Sequence, residues 1–394
     1  LKILILSFHF QPDLSAGSFR NTSLVETLQK KIPEGSQIEV MTTLPNRYSS
    51  FSVEAPEKED SPGLTVHRIA LPSHQSGMLD QSKAFLSYVR QVNKLVKGKD
   101  YDLVYASSSR LMTAALGAWV ARRKSLPLYL DIRDIFVDTI KDVLSKKLVW
   151  LMKPVFSLVE RWTIKKASKV NLVSGGFLPY FQARYPNQEF SLFTNGIDEE
   201  FLQAQPTARQ PNTRTVPEVV YAGNMGEGQG LHHIIPALAK HFEGKLKFKL
   251  LGDGGRRKQL VEAIENAGCE NVELLAPVSR KELIEIYQNA DVLFLHLNDY
   301  DAFKKVLPSK IFEYATLGKP VWAGVGGFAA SFIQENIDNA AVFSPCNVDE
   351  AVDSFANLQL VTQPRPDFTA RFARAEIMKG LADDFICLVI ESKS

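Results

Sequence analysis

A chain of 394 residues exceeds the roughly 250 to 300 residues at which single hydrophobic cores stop growing, so two domains are expected. With 45% hydrophobic and 23% charged residues it reads as globular rather than disordered, and a net charge of +2 gives no reason to expect a nucleic-acid partner. No apolar run reaches the roughly 18 residues that cross a bilayer. The longest, 111–121, contains Gly117, stops at Arg122 and Arg123, and reads as a core helix.

The opening LKILILSF ends at His9 without a small-residue cleavage site, so it reads as a buried strand rather than a secretory leader. From there short apolar runs alternate with amphipathic stretches. KILILSF, QIEVMTT, LTVHRIAL, DLVYASS, LPLYLDI, KVNLVS and EFSLFTN predict strands, and FRNTSLVETLQKKI and LSYVRQVNKLVKGK predict helices between them. Such alternation predicts a doubly wound parallel sheet. The pattern stops near Asn195 and Gly196, and QAQPTARQPNTRTVP has the composition of a linker. It restarts with EVVYAG and runs through KFKLLG, NVELLA, DVLFLHL and PVWAG, each followed or preceded by a helical pattern. The expected division is a first Rossmann-like domain over 1–200, a linker over 201–217 and a second domain over 218–367. A helical segment over 368–394 would cap its own sheet or cross back to the first domain.

Two constellations carry chemistry. In EVVYAGNMGEGQGLHHII a strand enters a loop holding Gly223, Gly226, Gly228 and Gly230, and a helix follows. Glycines let backbone amides approach an anion, and a helix N-terminus adds free N–H groups and partial positive charge. An ordinary turn would look the same, and no Gly-Lys-Ser/Thr marks a Walker loop. In LPSKIFEYATLGKPVWAG, Pro308 breaks the chain, Ser309 is expected to cap a helix, and Lys310 and Glu313 lie one turn apart. Glu313 there either offsets the helix dipole or grips a ribose hydroxyl pair while Lys310 meets phosphate. His232 and His233 follow the glycine loop, but neighbours in sequence do not share a helix face. Cys269, Cys346 and Cys387 are scattered, without CxxC or histidine at ligand spacing, which predicts buried free thiols in a reducing compartment. No Asp/Glu/His cluster has ligand spacing, so neither a protein-built metal site nor a cofactor is expected.

The order GNMGEGQGL, LLGDG, YQNADVLFLHL, SKIFEYATLGKPVWA resembles that of the retaining GT-B glycosyltransferases of family 4, especially bacterial enzymes of the fucosamine-transferase type that build lipid-linked surface polysaccharides. FHFQPDLSAGSFRN, LYLDIRDIF, ERWTIKKASKVNLVSGG and TNGID extend the likeness over most of the chain. The resemblance implies two Rossmann-like domains facing across a cleft, and transfer of a sugar from a nucleoside diphosphate, with UDP the expected nucleotide, to a saccharide or lipid-linked saccharide hydroxyl. It places donor contacts at Gly17, Ser18, the glycine loop with Asn224 and Gln229, Ser309, Lys310 and Glu313, and the catalytic centre at Arg133 and Asp134. The sequence departs from the family at four places. Asn224 and Gln229 stand where many members have Arg and Lys, Lys305 replaces the first of two glutamates, Ala16-Gly17 replaces a Gly pair, and Arg133 falls where a His is frequent. Diphosphate charge would then be met by Lys310, Lys305 or Arg133 with backbone amides.

Over 141–166, Leu144, Leu148, Leu151, Val155, Leu158 and Trp162 recur at helical spacing among seven Lys or Arg and two Asp or Glu. A core-packed helix with a solvated face would show such a stripe. So would a basic amphipathic helix on an anionic membrane surface, with Lys146, Lys147, Trp150, Trp162, Lys165 and Lys166 as contacts. Pro154 would kink it or start a second helix. The resulting expectation is a cytoplasmic protein, peripheral on the inner face of the membrane. A UDP-sugar epimerase of similar fold and a non-catalytic nucleotide-sugar-binding partner remain open at this point. A dehydrogenase is disfavoured because no GxGxxG turn follows the first strand.

Overall fold

A computed structural model describes every residue except 14, 46–54, 73–77, 109–110, 138–145, 205, 207–215 and 393–394. It divides into two compact units, one of residues 1–195 with 374–394 and one of residues 196–373.

The first unit holds an eight-stranded sheet of β1 (Lys2–Leu6), β2 (Gln37–Thr43), β3 (Lys58–Ser61), β4 (Leu64–Ile69), β5 (Leu103–Ser108), β6 (Leu128–Ile132), β7 (Lys169–Leu172) and β8 (Phe190–Ser191). Its order is β3-β4-β2-β1-β5-β6-β7-β8. β5 and β6 are buried along their whole length, as strands covered on both faces must be. β3 was not foreseen because KEDS carries no apolar alternation. It is an exposed antiparallel edge strand, and its charges suit an edge that must not pair further. β8 is shorter than EFSLFTN suggested. The backbone beyond it is bound by side chains instead, Phe193 N–H donating to Asn171 and the Phe193 and Thr194 carbonyls accepting from Arg20.

Right-handed crossovers place helix Ala16–Lys31 on one face and helices Met78–Leu95, Leu111–Lys124 and Lys146–Lys166 on the other. The helix Arg374–Glu391 packs against Ala16–Lys31 and buries Met378, Leu381 and Phe385 in the same core as Tyr105 and Tyr129. The helical stretch foreseen at the end is therefore two helices, Pro366–Phe372 and Arg374–Glu391. Ala373 between them is extended and bridges to Ile197, whose N–H donates to the Phe372 carbonyl at 2.8 Å.

The second unit has a six-stranded parallel sheet of β9 (Glu218–Ala222), β10 (Lys247–Leu251), β11 (Val272–Leu275), β12 (Val292–His296), β13 (Val321–Gly324) and β14 (Ala340–Phe343), ordered β11-β10-β9-β12-β13-β14. Trp322 on β13 is fully buried among Phe242, Phe294, Phe343 and Phe355. Helix Glu199–Gln203, with Phe201 buried, occupies the start of the expected linker, and most of the rest of that stretch lies outside the described residues. In both sheets the strand order reverses beside the first strand of the unit, between β1 and β5 and between β9 and β12. Ligands of open α/β sheets bind beyond the carboxyl ends of the strands at such switch points.

Candidate functional site

At the switch point of the second unit, β9 runs into Gly223, whose φ is +145° and whose N–H donates to the Leu251 carbonyl at 2.8 Å. A Cβ built on Gly223 would lie 2.4 Å from Lys310 Nζ, so the ammonium rests over the glycine backbone. The same ammonium lies 5.4 Å from the Tyr221 ring centroid. Gly252, at the end of β10, approaches equally closely: a Cβ there would fall 1.8 Å from the Gly223 carbonyl oxygen. Only hydrogen at these two positions lets the loops after β9 and β10 nest.

Asn224 and Gln229 turn to each other. Asn224 Nδ2 donates to Gln229 Oε1 at 2.8 Å, and the Gly226 N–H donates to the same oxygen at 3.3 Å. They brace the loop, and the cation over Gly223 is Lys310, brought from another element. Gly230 has φ +57° and starts helix Leu231–His241. The loop's other side is held from β12. His296 Nδ1 donates to the Gln229 carbonyl at 2.7 Å, and Nε2 accepts from the Cys346 N–H at 2.9 Å. That pair of contacts needs the neutral ring, and burial draws the imidazole down to about 4. Asn298 donates to the Glu227 carbonyl, and its own N–H donates to the Gly228 carbonyl, both at 2.9 Å. Glu227 accepts from Tyr300 and Arg256, which hold its carboxyl below the usual range, the Tyr300 hydrogen bond most strongly. The His232 and His233 rings lie together, centroids 3.9 Å apart, which the one-face argument did not foresee. Burial, then the neighbouring ring, lowers His232.

Glu313 is partly buried one turn along from Lys310. Its charge acts on Arg280, which is also paired with Asp198 and Glu200. Ser309 corrects an expectation. It already has helical φ and ψ (−61°, −28°), so its hydroxyl is not turned back toward the first amides and makes no capping hydrogen bond. Lys305 ends the short 3₁₀ segment Phe303–Lys305.

At the switch point of the first unit, Ser15 caps helix Ala16–Lys31 by accepting from the Ser18 N–H at 3.1 Å, and no acidic residue occupies the first turn. Gly17 and Ser18 are buried there. A Cβ on Gly17 would lie 3.8 Å from Arg133 Nε. Arg133 is partly exposed as a whole, yet its Nη1 is enclosed and has no hydrogen-bond partner. Burial draws this guanidinium down to about 10 against the opposing charge of Asp131. Asp134, next in the chain, is exposed.

Beneath them lies a network that the sequence reading missed. Arg20, with no exposure, donates to both oxygens of buried Asp131 at 2.8 and 2.9 Å. Asn171 donates to the same carboxylate at 2.7 Å. Burial pushes the Asp131 carboxyl up, but Arg20 outweighs it and holds the group ionised. The signal was present as a charged residue inside the apolar strand LYLDI, since a buried charge demands a partner.

Helix Lys146–Lys166 runs unbroken through Pro154. Trp150 is 81% exposed and Leu158 67%, while Lys165 and Lys166 are exposed and Trp162 is partly buried. The side chains of Lys146 and Lys147 lie outside the described residues. All three cysteines are free, but they are not all buried: Cys387 is exposed and the other two are partly so. Among the described residues no three His, Cys, Asp or Glu side chains converge as a metal site, and no helix is long and apolar enough to cross a membrane.

The family model for glycosyl transferases group 1 matches residues 205–369, and the model for a glycosyl transferase 4-like domain matches residues 23–196. The chain is a group 1, GT4-like glycosyltransferase. A putative colanic acid biosynthesis glycosyl transferase, WcaI, of Escherichia coli (strain K12) is 26% identical over 34% of the chain and 32% of its own length. The match thus spans about a third of that relative. Sucrose-phosphate synthase from Thermosynechococcus elongatus superposes with a TM-score of 0.75 at 14% identity, covering 99% of each chain. Anabaena HepE in complex with UDP-glucose gives 0.68 at 16% identity, covering 98% of this chain and 99% of its own. These glycosyltransferases share the GT-B architecture of two parallel-sheet α/β domains, and this enzyme has it too.

Proposed function

We propose that this glycosyltransferase moves a sugar from a UDP-sugar to a hydroxyl of a lipid-linked saccharide, with retention of anomeric configuration, in the synthesis of a bacterial surface polysaccharide. The observation that carries the reading is Lys310 Nζ resting over Gly223 at the switch point, with Glu313 one turn further on. A cation over the glycine backbone of a loop that leads into an eleven-residue helix suits a diphosphate. Glu313 then accepts from the ribose hydroxyls, and the backbone of Gly223, Gly226, Gly228 and Gly230 with Ser309 and Lys310 receives the phosphates. HepE was solved with UDP-glucose on the same architecture, and WcaI is named for polysaccharide synthesis, which supports the donor and the pathway class.

In the proposed reaction the acceptor oxygen bonds to the anomeric carbon as the bond from that carbon to the β-phosphate oxygen breaks. The acceptor proton passes to the departing phosphate. Negative charge grows on the diphosphate, where Lys310 and the loop amides are already placed. In the first unit Gly17, Ser18 and Arg133 are the groups offered to the sugar and acceptor, with Asp134 orienting the acceptor hydroxyl. The basic helix Lys146–Lys166 would hold the enzyme at the cytoplasmic face of an anionic membrane, where a lipid-linked acceptor resides.

The test is UDP release over a panel of UDP-sugars, with and without lipid-diphosphate-linked acceptors, for wild type and Glu313→Ala. Acceptor-dependent release that falls at least a hundredfold in the variant is the expected result. Conversion of donor without acceptor would point to epimerisation. Binding without turnover under every acceptor would overturn the reading.

A further inference from the structure

Residues 111–121 read from the sequence as a core helix, and the helix observed is Leu111–Lys124. Most of it is buried, yet Trp119 is 51% exposed and Met112, two turns earlier on the same side, is also exposed. This helix packs against Lys146–Lys166, which exposes Trp150, Val155 and Leu158. Two neighbouring helices of one layer therefore each present large apolar side chains to solvent. Burying such groups is worth about 1.5 to 3 kcal/mol each, so leaving several together exposed is unusual without a partner.

Where helices Met78–Leu95 and Leu111–Lys124 end is a cavity of ≈ 190 Å³ whose lining includes Asn93, Lys97, Val120, Arg123 and Lys124. Three cations border it. Among the described residues none of the three is paired with a carboxylate, and Lys124 Nζ is held by the Lys99 carbonyl and lies 5.6 Å from the Tyr101 ring. Arg122 and Arg123 are exposed at the end of the helix that bears Trp119. Exposed tryptophans with clustered, unpaired cations are complementary to the apolar and anionic parts of a bilayer surface.

We propose that helices Leu111–Lys124 and Lys146–Lys166 form one lipid-docking face, and that the cavity between Lys97, Arg123 and Lys124 takes the phosphate of an anionic lipid headgroup while Trp119 and Trp150 enter the interfacial region. This rests on the membrane contact proposed for the basic helix and extends it to a second helix and a headgroup site. The full chain is mixed with vesicles of phosphatidylcholine alone or with phosphatidylglycerol, some carrying brominated acyl chains. Wild type is compared with Trp119→Ser, with Lys97→Gln/Arg123→Gln and with Lys165→Gln/Lys166→Gln, all checked for an unchanged melting temperature.

Binding confined to the anionic vesicles is expected, with bromine quenching of tryptophan fluorescence that is reduced in Trp119→Ser. Lys97→Gln/Arg123→Gln is expected to bind about thirtyfold more weakly, from the roughly 1 kcal/mol that each basic residue contributes beside an anionic surface. Wild-type binding by that pair and by Trp119→Ser would overturn the proposal. If Lys165→Gln/Lys166→Gln alone weakens binding, the basic helix stands and the added face fails. Glycerol 3-phosphate binding that is lost in Lys97→Gln/Arg123→Gln while vesicle binding is the same for both proteins would assign the cavity to a soluble phosphate and also overturn it. UDP binding, measured on the same samples by calorimetry, reports separately on the donor reading.

Discussion

Lys310 and Gly223, far apart in sequence, form the contact on which the proposed donor binding turns. The glycines and the lysine were legible as motifs, but their juxtaposition follows from the parallel pairing of β9 with β12 and could not be read from either motif alone. Gly223→Ala puts a methyl where the ammonium lies, at a φ of +145° that an L side chain rarely adopts. UDP affinity is expected to fall about tenfold, on the order of 1.4 kcal/mol. In a Lys310→Ala background the same change should cost clearly less, because the displaced Nζ and Cε are gone. Additive losses in a calorimetric double-mutant cycle would show that the contact carries no coupling. In the sequence His296 is one residue of the apolar run DVLFLHL, and nothing local distinguishes it from any strand histidine. Its role depends on two backbone groups distant in sequence. Its folded value of about 4 lies below the ordinary 6.5, so the unfolded chain binds the proton more readily between those values. Its contribution is therefore fully present above about pH 6.5 and is lost as pH falls toward 4, by up to ~3 kcal/mol. Urea titrations of wild type should show this loss across pH 6.5 to 4.5, and His296→Gln should be less stable at pH 7 but flatter over that window.

At the scale of elements, apolar runs located most of the parallel strands because a buried strand must be apolar along its length. They failed where side chains or edge position decide the outcome: β3 is charged, the backbone beyond β8 is bound by Arg20 and Asn171, and β14 is an edge strand only half buried. The helix Leu111–Lys124 shows how one small residue sets a layer. A Cβ on Gly117 would lie 2.5 Å from Ala106 Cβ on β5, so the glycine lets the helix settle onto the sheet. Helix propensity alone favours Gly117→Ala by roughly 1 kcal/mol. Overpacking costs about 1–3 kcal/mol and opposes it, so the substitution is expected to destabilise. Ala106→Gly on the partner strand should recover part of the loss. A Gly117→Ala protein that melts above wild type would show that the helix can shift without penalty.

For the whole molecule, the alternation of strands and helices showed two α/β units but not which of them receives the last helix. Residues 374–391 are amphipathic enough to cover either sheet, and the choice rests on particular fits. Asp384 accepts from Tyr129 and Ser191, both at 2.7 Å, and is ion-paired with Lys169. Gly380 leaves room for the Phe193 ring, 2.8 Å from where a Cβ would be. A chain ending at residue 373 loses Met378, Leu381, Ala382, Phe385, Leu388 and Val389 from the core of the first unit. At about 1.5 to 3 kcal/mol for each large side chain, that loss is comparable with the roughly 5–15 kcal/mol by which a domain is ordinarily stable. The second unit keeps its own core around Trp322. The shortened chain should therefore lose the near-ultraviolet signal of Tyr105 and Tyr129 and expose apolar surface to a fluorescent dye. It should retain the emission of a buried tryptophan and the calorimetric affinity for UDP, because Lys310, Glu313 and the glycine loop all lie within residues 196–373. A truncated chain that melts like the full one would mean that the first unit's core closes without its last helix. Loss of UDP binding with the second unit intact would mean that the donor site needs groups from outside it.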